Sequence, residues 1–140
     1  MRQALALLLL TAGLFVALEV WFGFHLAYSI ALGTIVVMAM MISLTFLWLW
    51  QRRETPLALG MSFSWAGAAS VLGWWWFFHV LHGPERMNEN GVLFIFLGLY
   101  FVGAVQHFVV MQRSMGVGLR VFALPVLVAI LIAALVSLFG

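Results

Sequence analysis

The chain has 140 residues, of which 66% are hydrophobic and only 7% charged, with a net charge of +2. Ordinary soluble domains carry roughly 25% charged residues, so a chain with a mean hydropathy of +1.20 has too little polar surface for water, and its expected solvent is lipid. Zero cysteines exclude disulfides, thiolate catalysis and Cys-ligated metals or clusters, and the six cations, all arginine and scattered at predicted helix ends, form no nucleic-acid footprint.

Stretches such as Leu7–Leu10, Ile35–Met41 and Val126–Leu135 are apolar on every face. A transmembrane barrel would alternate polar and apolar positions instead. The expected class is therefore all-α: a polytopic transmembrane bundle of five helices, in a single integral membrane domain spanning 1–140. At about 20 residues per crossing, the apolar run 4–50 is too long for one span and must fold back once. The turn falls near Trp21–His25, where Gly23 sits among aromatic residues. The first helix is then 4–22, read as a transmembrane span because its apolar run outlasts a signal peptide and no clean cleavage site follows. The second is 26–50. After Gln51–Glu54, Thr55 is an N-cap candidate and Pro56 suits a first helical turn. The third helix runs 56–81 and Gly83–Pro84 ends it. Asn90–Gly91 is a turn or cap signal before the fourth helix, 91–112. A glycine-containing connector leads to the fifth, 119–139, where Pro125 would kink the helix or mark its start.

Five crossings put Arg2, Arg52, Arg53, Arg113 and Arg120 on one side and only Arg86 on the other. The positive-inside rule makes the five-arginine side cytoplasmic, with the N-terminus inside. The expected location is a bacterial inner (plasma) membrane. Trp48 and Trp50 would then line the inner interface, and Trp21 with Trp74–Trp76 the outer one. Small residues recur at four-residue spacing: Gly60, Ser64 and Ala68, and Ser62, Ala66 and Ser70, in the third helix; Ala129, Ala133 and Ser137 in the fifth; Gly13 and Ala17 in the first. Such stripes let helices approach closely in lipid, either within the bundle or against a partner.

By depth, Glu19, His25, His79, His82, Glu85 and Glu89 all gather at the outer interface. His79 and His82 are spaced i, i+3, which places them on one helical face. Imidazole and carboxylate ligands suit a divalent metal such as Zn²⁺ or Cu²⁺. His25 and His79 at similar depth on consecutive helices would also allow axial ligation of a b-type haem. The bland reading makes these histidines amphipathic interface residues. Glu19 lies inside an apolar helix, where an ionisable group costs a few kcal/mol to insert and usually faces the interior or a cavity. Its place is similar to that of the essential acid in the first helix of small multidrug transporters, a likeness of a few residues in a chain without that family's four-helix layout. His107, beside Gln106, lies about 22 Å from the outer end at the helical rise. It reads as a hydrogen-bonded packing histidine, or as a ligand for a quinone head group or second cofactor.

No nucleophile constellation and no phosphate-binding glycine loop occurs, and there is no aspartate. The expected function is a small non-catalytic membrane subunit that packs with lipid and with other membrane subunits or copies of itself. The alternatives are a proton-coupled transporter or channel using Glu19, and a metal- or haem-binding redox protein using His25, His79 and His82.

Overall fold

The computed structural model describes residues 2–87, 89–116 and 120–139, with all their side chains except those at 85, 115, 120–123, 125 and 139. These form five α-helices: α1 (Arg2–Phe22), α2 (Phe24–Arg53), α3 (Pro56–Leu81), α4 (Val92–Met115) and α5 (Arg120–Phe139), with a short 3₁₀ turn at Glu85–Met87. There is no strand among the described residues. The helices α1, α2, α3 and α4 are each long and apolar enough to cross a membrane, and α5 carries the apolar stretch Val126–Leu138.

The breaks follow from local chemistry. Gly23 separates α1 from α2 with φ +83°, a conformation that a side chain would strain. α2 continues three residues past the expected end at 50 and stops at Glu54, which takes the left-handed conformation (φ 50°) while its N–H bonds the Trp50 carbonyl at 2.6 Å. Arg52 and Arg53 thereby complement the C-terminal dipole of α2, and the Arg52 guanidinium lies 5.7 Å from the Trp48 ring centroid. Thr55 does precede α3 with Pro56 in the first turn, but its hydroxyl makes no capping bond. Asn90 Oδ1 accepts from Val92 N–H at 3.0 Å and starts α4. α5 begins at Arg120, ahead of Pro125.

All substantial helix contacts among the described residues join neighbours in sequence: α3 packs closely on both α2 and α4, while α1 touches α2 and α5 touches α4 less extensively. The core is therefore a row of three helices with α3 in the middle. Both seams are antiparallel, because partners climb on one helix as they descend on the next. Against α2, Trp76 meets Gly33, Val36 meets Gly73, and Ser43 meets Ser62. Against α4, Gly60 meets His107, Ser64 meets Gly103, and Gly67 meets Tyr100.

Small residues set both seams. A Cβ on Gly67 would strike the Tyr100 backbone, and one on Gly103 would strike the Ser64 backbone N and lie 2.7 Å from the Gly60 carbonyl oxygen. Only glycine permits that approach, and dispersion between touching backbones is what holds helices together in lipid. On the other face of α3, Ser62 Oγ donates to the Ser43 carbonyl at 3.0 Å and Ser43 Oγ donates to the Ser62 carbonyl at 2.9 Å. Both serines are buried. The two stripes predicted in α3 thus begin on opposite seams, Gly60 and Ser64 toward α4 and Ser62 toward α2. The stripes of α1 and α5 differ. Gly13, Ala17, Ala129, Ala133 and Ser137 are all exposed.

Candidate functional site

The antiparallel row gives the core two polar ends, one marked by Arg52, Arg53 and Arg113, the other by His25, His79 and His82. A cleft of about 510 Å³ opens at the histidine end between α2 and α3, and all three of these imidazoles line it, together with Tyr28 and Ser29. His25 stands in the first turn of α2 with Phe24 edge-on to it at 6.1 Å. Tyr28 stacks on Phe24 at 5.8 Å and meets the His79 ring edge-on at 6.4 Å. Phe78 covers His79 from its own helix at 6.1 Å.

His79 Nδ1 lies 3.0 Å from the Trp75 carbonyl oxygen, one turn back in α3. A carbonyl only accepts, so Nδ1 carries the proton, and in the neutral ring Nε2 is the basic nitrogen. His82 is not one helical step beyond His79 as the i, i+3 spacing predicts. α3 ends at Leu81, and His82 takes a left-handed conformation (φ 48°) as the C-cap, its N–H bonded to the Phe78 carbonyl. A non-glycine residue pays roughly 1–2 kcal/mol for that conformation. The cap turns the chain at His82 itself, before Gly83–Pro84, and keeps its side chain on the cleft wall.

Beyond the cap, Trp74 Nε1 donates to the Met87 carbonyl at 3.1 Å and ties the 3₁₀ turn back to α3. Glu85 opens that turn, and its side chain lies outside the described residues. Glu89 is exposed. Among the described residues, no three His, Cys, Asp or Glu side chains come close enough together to hold a metal ion.

Glu19 is exposed, on a helix with no buried residue. It does not face a helix-packed interior, and it lines neither the histidine cleft nor the cleft at the other end. The reason is the weak packing of α1, which leaves most of its circumference uncovered.

His107 is apart from the other histidines, at the arginine end. It lines a second cleft, of about 460 Å³, built by α2, α3 and α4. Among the described residues its Nδ1 is buried without a hydrogen-bond partner, as is Gln106 Oε1 beside it. The hydrogen bond expected of a packing histidine is not made through Nδ1 among the described residues. Tyr28, Ser29 and Thr55 were not among the predicted site residues. Tyr28 had a readable signal, since it follows His25 by three positions in one helix and so shares its face.

No protein-family model, curated protein or solved structure matches the chain.

Proposed function

We propose that this chain is a small non-catalytic subunit of a membrane assembly, a single integral domain crossing a bacterial inner membrane five times with its N-terminus in the cytoplasm. In this reading α1 and α5 are its docking helices. The observation that carries it is Glu19, exposed on a helix that buries none of its residues. A carboxyl group facing hydrocarbon costs a few kcal/mol, and a neighbouring helix that supplies a donor offsets that cost. The exposed small-residue stripes of α1 and α5 support the same reading, because close approach is of no use against lipid chains.

A photoreactive side chain placed at Gly13 or Ala17 in intact membranes should give discrete protein adducts, and Glu19→Gln should reduce them. Adducts with lipid alone, together with a monodisperse monomer in mild detergent, would remove the reading.

A redox or metal-binding role is the second reading: His25, His79 and His82 line one cleft, although among the described residues they do not close into a three-ligand set. An absorption spectrum and elemental analysis of the purified protein test it. A haem Soret band or a stoichiometric metal would promote it over the subunit reading; a colourless, metal-free protein would end it.

A further inference from the structure

The cleft at the arginine end has a feature that docking through α1 and α5 leaves unused. Phe46, Leu49, Met61 and Val110 make its walls apolar, and among the described residues only the Thr55 and His107 side chains bring polar groups to it. Its volume of about 460 Å³ lies within the range of roughly 300–1,000 Å³ typical of small-molecule sites. The His107 imidazole makes no hydrogen bond among the described residues. Its Nδ1 is closed off and unpartnered, which leaves Nε2 as the nitrogen open to contact. Thr55 Oγ1 makes no capping bond either.

The position of this imidazole is not adjustable by sliding α4. A Cβ on Gly60 would lie 3.1 Å from His107 N, so the two backbones already touch there. The seam thus fixes a polar ring on the wall of an otherwise apolar cleft, with Nε2 as its accessible nitrogen. An imidazole nitrogen donates to a carbonyl or accepts from a hydroxyl, according to its tautomer. Charge narrows the occupant further. Among the described residues no arginine lines the cleft, and Arg113 belongs to the neighbouring groove with Gln106. Among the described residues the cleft wall itself offers a phosphate no cation, whereas a neutral oxygen-bearing head finds a suitable partner in His107.

We propose that this cleft binds a neutral, lipid-soluble molecule with a carbonyl or hydroxyl head on an apolar body, of the quinone/quinol class. The head oxygen pairs with His107 Nε2, and the body lies against Phe46, Leu49 and Met61.

The test uses the full chain, ¹⁵N-labelled at histidine, in nanodiscs of phosphatidylcholine free of quinone, titrated with a decyl-substituted benzoquinone and with its quinol. The expected result is saturable binding of one molecule per chain, with movement of the His107 imidazole resonances. His107→Leu should weaken binding at least tenfold, and Met61→Trp, which fills the cleft but leaves the imidazole in place, should do the same. Should either variant fail to fold, the resonances of the unmodified protein decide alone. Uptake that only follows partition into lipid, or His107 resonances that stay put at saturation, would overturn the proposal. So would a stoichiometric phospholipid that leaves with His107→Leu, since the occupant would then be bilayer lipid.

Discussion

α3 and α1 are both apolar helices, yet one is gripped from two sides and the other is almost uncovered. Of the four membrane-length helices, α3 is the least apolar and has the largest buried share, while α1 has no buried residue at all. In water that ranking would be inverted, because burial there follows hydrophobicity. In lipid, apolar surface has no reason to hide, and burial follows smallness and hydrogen bonding instead. Gly60, Gly67 and Ser62 decide the place of α3; the leucines of α1 make it apolar without giving it a buried face.

Substitutions can break or sharpen this contrast. The largest effect is expected at Gly103→Leu, where a Cβ already meets the Ser64 backbone and lies 2.6 Å from Ser64 Oγ. Forcing the α3–α4 seam apart should cost about 3 kcal/mol, read as lost resistance to SDS unfolding. The matching change in α1, Gly13→Leu, meets nothing within 4 Å and should leave the unfolding of the isolated chain within about 0.5 kcal/mol of the unmodified protein. Equal damage at both sites would abolish the contrast.

A middle-sized effect belongs to the serine pair on the α2 seam. Ser43→Ala and Ser62→Ala should each cost about 1 kcal/mol. Because the two hydroxyls bond each other's helix reciprocally, a double-mutant cycle should return a coupling of about 0.6 kcal/mol. A coupling of zero would mean that the seam is held by glycine contact alone. The smallest effect is expected at Glu19→Gln, which should change the stability of the isolated chain by less than about 0.5 kcal/mol. A large loss would mean that Glu19 has a partner within its own chain.

Much of the architecture was legible from the residues, for reasons that differ along the chain. Helix limits came from glycine, proline and the arginine pair, whose effects are local. They held to within three residues, the largest departures being the extensions of α2 through Arg53 and of α4 through Met115. The four-residue stripes of α3 announced close packing, but not which stripe met which neighbour, since that depends on the register of two hairpins. The rotation of α1 was not legible at all. A helix with so few polar positions shows little preference for a face, so the expectation that Glu19 faces the interior rests on cost alone, and the exposed Glu19 departs from it.

At the candidate site, depth alone brought His25, His79 and His82 to one end, and the structure lines one cleft with all three. The left-handed cap at His82 was hidden, because Gly83 next door is the residue type that usually takes it. The lack of a partner for His107 Nδ1 was hidden too, since only the fold reveals what an imidazole fails to reach.

The serial arrangement of the core bears on how the molecule comes into being. Each rod leans on the one synthesised just before it, so among the described residues no substantial contact has to wait for a distant part of the chain, and such local wiring favours rapid assembly. A nascent chain arrested after Leu81 should already have the first seam closed. A cysteine placed at Ser43 should then cross-link to one at Ser62 before α4 has been translated.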